Sequence, residues 1–180
     1  MLFTSLHFLV FFLVVLLAVC IIEGKKYQHL FLLCASFYFY WVSSNFLIFL
    51  LFIATLVSFY CGNQIHRNKN PRYRKIYLAF AVISLLGILG YFKYYNFGIS
   101  AVNTSLAVLL NLKDPLLYLD IILPIGISFF TFQALSYVFD IYRNAMKPTD
   151  SLREYALFIA FFPQLVAGPI VRAVEFLPQL

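Results

Sequence analysis

The sequence predicts an all-α, polytopic membrane protein, and three observations carry that prediction. Of its 180 residues, 63% are hydrophobic and 20% aromatic, whereas only 11% are charged. A soluble globule is about half apolar and about a quarter charged, and the mean hydropathy of +0.90 is far from that balance. The apolar residues also fall in runs near the length of a spanning helix, about 20 residues with a usable range of roughly 17–25.

The first run covers residues 6–22. No Lys or Arg precedes it and no small-x-small site follows. LAVC at residues 17–20 misses the lipoprotein pattern because Val19 stands where a small residue is required. It reads as an uncleaved spanning helix. Residues 28–42 and 46–61 are separated only by SSN and together exceed one helix, so they predict a tight hairpin. Residues 76–95 form a fourth span, and 116–142 contain a fifth, interrupted at Leu123-Pro124. Between these two, residues 96–115 hold a short apolar stretch, 99–112, that includes Asn103, Thr104 and Ser105. That length predicts an interfacial or re-entrant helix, not a crossing.

Charge sets the orientation. With the N-terminus outside, residues 23–29, 62–75 and 140–154 become cytoplasmic loops holding ten of the thirteen Lys and Arg residues. This obeys the positive-inside rule. The net charge of +6 lies in short clusters between apolar runs, which suits anionic lipid. No basic face outside the membrane is left for nucleic acid. The expected partner is the lipid bilayer.

Aromatic groups gather near span ends, as in FYFYW (37–41) and YFKYYNF (91–97). Interfacial belts account for them, and a stacking platform for a sugar is the alternative. Cys20, Cys34 and Cys61 stand in apolar context without CxxC spacing, so they read as small buried hydrophobes, with no metal site or disulfide expected.

Polar residues at membrane depth face a bundle interior or an aqueous cavity. On the fifth span Gly126, Phe130, Gln133, Tyr137, Asp140 and Asn144 recur at spacings of three and four, so they share one face. Pro124 is expected to kink the start of that helix. The face reads either as helix–helix glue or as the lining of a functional space. FFPQLVAGPIVR, residues 161–172, is more specific. Pro163 and Pro169 remove backbone donors, Gly168 weakens the helix between them, and Gln164 adds an amide that lipid would not accommodate. Broken backbone is tolerated at membrane depth only where it is buried in protein or lines a cavity. A re-entrant segment is therefore predicted, with Arg172 and Glu175 near an interface. His7, His29 and His66 lie at the N-terminus and in basic loops, and no nucleophile elbow, phosphate loop or metal-ligand cluster accompanies them. No catalytic residue and no bound cofactor is expected within these residues.

LPIGISFFTFQALSYVFDIYR (123–143) and YALFIAFFPQLVAGPIVRAVEFLPQL (155–180) closely resemble the membrane-bound O-acyltransferase family, in particular the branch that acetylates bacterial polysaccharides such as alginate. LFLLCASFYFYWVSSNFLIFLLF (30–52) and GYFKYYNF (90–97) fit the same branch, so the resemblance runs through the whole chain in order. It implies a many-helix fold around a tunnel in the bacterial inner membrane. A cytoplasmic donor, acetyl-CoA or an acyl-carrier thioester, would meet a polysaccharide acceptor from the other side, with accessory acetylation proteins in the envelope. The family's base is a histidine in its later half, which no histidine here matches. The chain is thus expected to be the N-terminal part of such an enzyme, inactive by itself. Carried over by position, Gln133, Tyr137, Asp140 and Arg143, then Pro163, Gln164, Gly168, Pro169 and Arg172, would line the tunnel or chamber. D-alanyl transfer to teichoic acid is the alternative within the family. A transporter or channel would also use a polar stripe and broken helices, but no inverted repeat accompanies them. A non-catalytic membrane anchor is the third reading.

Overall fold

The computed structural model describes residues 6–110, 122–168 and 171–180. Its elements are α1 (Leu6–Ile21), α2 (Lys25–Ser44), a 3₁₀ turn (Asn45–Leu47), α3 (Ile48–Arg67), α4 (Pro71–Leu110), α5 (Ile127–Tyr142), α6 (Leu152–Ala160), α7 (Phe162–Ala167), α8 (Ala173–Phe176) and a closing 3₁₀ turn (Leu177–Gln179). The described residues contain no strand.

Their burial is inverted relative to a soluble protein. Leu17, Phe49 and Ile83 are 58%, 62% and 71% exposed, whereas Ser36, Thr55, Ser58, Gln133 and Asp140 are buried. Large apolar groups outside and hydrogen-bonding groups inside is the arrangement that lipid favours. The stretches Lys25–Arg67 and Pro71–Ser105 are long and apolar enough to cross a membrane. The molecule is a membrane protein.

The expected hairpin between α2 and α3 is present. In one unbroken helix the rings of Phe37 and Phe52 would lie about 22 Å apart at 1.5 Å per residue, yet they stack with centroids at 4.6 Å. The turn uses Asn45 at φ 52°, a positive φ at which Asn is enriched over most other residues. α6 sits in the opening of this hairpin, bonded to both arms. Tyr155 donates to Ser58 Oγ of α3 at 2.7 Å, and the Phe162 N–H just beyond α6 donates to Ser36 Oγ of α2 at 3.3 Å.

Three boundaries differ from the sequence reading. α4 runs unbroken to Leu110, through the stretch expected to form a separate interfacial or re-entrant helix. Thr104 and Ser105 return their hydroxyls to the carbonyls of Ser100 and Ala101 at 2.9 Å, so neither interrupts the helix, and no proline lies between Arg72 and Leu110. Forty residues make a helix of about 60 Å, twice the thickness of the hydrocarbon core. Second, the loop expected over residues 62–75 is mostly helical, because α3 extends to Arg67 and α4 begins at Pro71. Pro71 costs α4 nothing at its first position, where an N–H has no helical partner. Third, His29, placed in a loop by its charged neighbours, lies in the second turn of α2 and is buried, close to Arg153 and Glu154 at the start of α6.

Pro124 lies in the turn before α5, where Ile127 N–H bonds its carbonyl at 3.3 Å. The helix proper starts after Gly126, whose φ of 73° is strained for any residue with a Cβ. The part of the fifth run before residue 122, and Lys113, fall outside the described residues.

Candidate functional site

The site is built on α5 and on the chain from α6 to the closing turn. Gln133, Tyr137 and Asp140 stand one turn apart on α5 and all are buried, as their spacing predicts. α3 meets α5 at Gly62, which with Ala54 and Ser58 forms a row of buried small residues four apart. A Cβ on Gly62 would lie 2.8 Å from Tyr137 Cε1 and 2.9 Å from Ile141 Cδ1, so glycine is what lets α5 approach so closely. Small residues every fourth position are a known device for close helix packing in membranes. The four-residue spacing of this row is legible in the sequence.

The broken helix follows directly. α6 ends at Ala160, Phe161 turns the chain at ψ 106°, and α7 begins at Phe162. Had the helix continued, Phe158 C=O would accept from Phe162 N–H. Instead Gln133 Nε2 donates to that carbonyl at 3.1 Å, and Ser36 Oγ takes the Phe162 N–H. Pro163 occupies the second position of α7, where its missing N–H removes no helical bond. Gln164 is buried, and its carbonyl accepts Gly168 N–H at 3.0 Å where α7 stops. Gly168 then turns extended.

The path is re-entrant. α6 starts among the basic loops, beside Lys25 and His29. At the far end, Leu165 C=O lies 2.8 Å from the position a Cβ would take on Gly126, at the start of α5. Ile125 N–H bonds Ser44 Oγ there (3.2 Å), and Lys93 Nζ lies 3.4 Å from Ser128 Oγ. The chain then returns: Arg172 grips Asp140 near the C-terminal end of α5, with Nε donating to Oδ2 at 3.2 Å and Nη2 to Oδ1. Lys25 Nζ lies 3.5 Å from Leu180 O at the same end. The segment thus enters and leaves at the basic end of the bundle.

The remaining expected residues divide. Tyr137 stacks on Tyr155 with centroids at 4.3 Å, and its hydroxyl lies near the Thr149 backbone without a hydrogen bond of normal geometry. Arg143 is exposed at the C-cap of α5, with its guanidinium 6.0 Å from the Phe139 ring, and does not join the group around Asp140. Asn144 is also exposed: at φ 57° it closes α5 in a Schellman motif, with Ala145 N–H on Asp140 C=O at 2.8 Å. Arg74 of α4 reaches the same helix end, donating to Tyr142 C=O at 2.6 Å and to Asn144 Oδ1 at 3.0 Å. Pro169 lies outside the described residues. Among the described residues, no three His, Cys, Asp or Glu side chains are grouped as a metal site would need.

Gln133 and Asp140 are therefore engaged with protein, while a neighbouring cleft of about 290 Å³ is apolar. It is lined by Phe12, Val15, Leu16 and Val19 of α1, together with Phe162 and Pro163 at the start of α7.

No family profile and no solved structure matches the chain. Curated relatives do. It is 39% identical, over 99% of its length, to a Pseudomonas aeruginosa protein named "Probable alginate O-acetylase AlgI", and 36% identical over 99% to an Azotobacter vinelandii protein of the same name. It is 30% identical over 87% of its length to the "Peptidoglycan O-acetyltransferase" of Helicobacter pylori. The chain spans 34%, 36% and 33% of those three proteins, about one third of the curated relatives it matches. With such identity running through nearly its whole length, the chain belongs to the membrane-bound O-acyltransferase family.

Proposed function

We propose that the whole protein containing this chain moves an acetyl group from a cytoplasmic thioester, acetyl-CoA or an acyl-carrier conjugate, to a hydroxyl of an extracytoplasmic polysaccharide resembling alginate. The observation that carries this reading is the 36–39% identity to alginate O-acetylases over about 99% of the chain. The re-entrant segment supports it. A chain that enters from the basic end, reaches Gly126 and returns to Asp140 forms a wall through most of the bundle's depth. In this reading Gln133, Tyr137, Asp140, Pro163, Gln164, Gly168, Pro169 and Arg172 shape the wall of the acyl passage, with Arg143 at its cytoplasmic mouth. The base lies outside His7, His29 and His66, so these 180 residues alone transfer nothing. The protein sits in the inner membrane with its N-terminus outside and works with accessory acetylation proteins.

The relative named for peptidoglycan gives a second acceptor, a cell-wall glycan. Expression of the complete gene in a strain lacking O-acetylation, followed by NMR of both isolated polymers, decides between them. Acetyl ester on the exopolysaccharide supports the first acceptor, and ester only on the cell wall supports the second. Ester on neither, with the protein present in the membrane, overturns the acetyl-transfer reading.

A further inference from the structure

A second cleft, of about 470 Å³, lies where α6 enters the α2–α3 hairpin. Leu33 and Phe37 of α2 and Phe52 and Leu56 of α3 form its walls, and Arg153 of α6 supplies its charge. Leu56 is 52% exposed, so the cleft opens sideways, toward the surrounding bilayer. Thr55, also in the lining, spends its hydroxyl on Leu51 C=O at 2.7 Å and offers no donor.

Arg153 is half-buried, and one of its donors lacks an acceptor. Its Nε is buried without a hydrogen-bond partner, and no ion pair joins it to an acid among the described residues. The surroundings add positive charge through Lys25 of α2, with Glu154 the nearby acid. A buried guanidinium donor without an acceptor is costly, and a phosphate matches it best because the planar fork donates two parallel bonds. The ligand must therefore be apolar along most of its length and anionic at the end nearest the basic loops. Phospholipids have that form, and the bilayer presents them at that depth.

We propose that this cleft binds one anionic phospholipid, an acyl chain lying along Leu33, Phe37, Phe52 and Leu56 and the headgroup phosphate accepting from Arg153. The site stands apart from the passage around Gln133 and Asp140 and does not rest on the acyl-transfer reading. Bound there, the lipid would brace α6 between the two arms of the hairpin.

The test is native mass spectrometry of this chain after exposure to equal amounts of phosphatidylglycerol and phosphatidylcholine. Phosphatidylglycerol should be retained in preference, and Arg153→Gln should weaken that retention about fivefold, the effect of one basic residue at a lipid surface. Leu56→Trp, which fills the cleft and keeps Arg153, should lower retention of both lipids, and Lys93→Gln, at the opposite end, should change nothing. Equal retention of the two lipids by the unaltered chain overturns the proposal. So does undiminished phosphatidylglycerol on Arg153→Gln or, where that variant fails to fold, on Leu56→Trp. Displacement of the lipid by inorganic phosphate alone would reveal a simple anion site and also overturn it, as would a lipid-free dimer mass in place of the lipid-bound monomer.

Discussion

Gln133 Nε2 donates to Phe158 C=O at 3.1 Å, and that carbonyl is the one the break at Phe161 deprives of its helical donor. One side chain on α5 thus makes the interruption of the next helix tolerable in lipid. The amide is neither free lining nor simple glue; it replaces a missing backbone bond.

Gln133→Leu should lower stability by about 1–2 kcal/mol, since it leaves a buried carbonyl unpaired in a medium without water. Ser36→Ala should act similarly by orphaning Phe162 N–H. Both are measured by unfolding in mixed micelles. A Gln133→Leu protein as stable as its parent would show that the break needs no such support.

Gly62→Ala should cost roughly 1–3 kcal/mol, because the added methyl meets the Tyr137 ring and Ile141. Ile141→Val should recover part of the loss. Gly87→Ala serves as the contrast: its Cβ meets nothing within 4 Å, and a helix-interior alanine should stabilise α4 by about 0.5–1 kcal/mol. Equal effects at both glycines would rule out close approach as the cause.

Asp140 and Arg172 should respond unequally. The Asp140 side chain is 6% exposed and that of Arg172 is 52% exposed. Arg172→Gln leaves a buried carboxylate without its partner, whereas Asp140→Asn releases a guanidinium that solvent can reach. Arg172→Gln should therefore speed proteolytic release of the chain beyond Gly168 more than Asp140→Asn does. The double variant should fall short of the sum of the two. Strict additivity would mean the pair carries no coupling.

The re-entrant path predicts sidedness. In a background free of native cysteines, Lys147→Cys before α6 and Gln179→Cys after α8 should be labelled by an impermeant thiol reagent from the same face of the membrane. Asn45→Cys, in the α2–α3 turn, should be labelled from the other. Opposite-face labelling of positions 147 and 179 would make the segment a full crossing.

The sequence by itself determined a good deal. Apolar run lengths gave the membrane class and the α2–α3 hairpin, because lipid leaves a chain only helices of set length and short turns between them. The three- and four-residue spacing of Gln133, Tyr137 and Asp140 placed them on one buried face, and Pro163 with Gly168 marked where the last helix fails. Such features are local, so they can be read residue by residue. Inside residues 140–154, read above as a loop, the structure starts α6 on a local cap: Ser151 Oγ accepts Glu154 N–H at 3.2 Å.

Tertiary structure alone decided the rest. Nothing local to Phe158 says that its carbonyl is met by Gln133, or that Ser36 meets Phe162 from 126 residues away. Arg143 and Arg172 look alike in sequence, yet one caps a helix in the open and the other pairs with Asp140. Run length and periodicity fix which groups must be hidden from lipid. Which partner hides each one depends on how helices distant in sequence come to lie side by side.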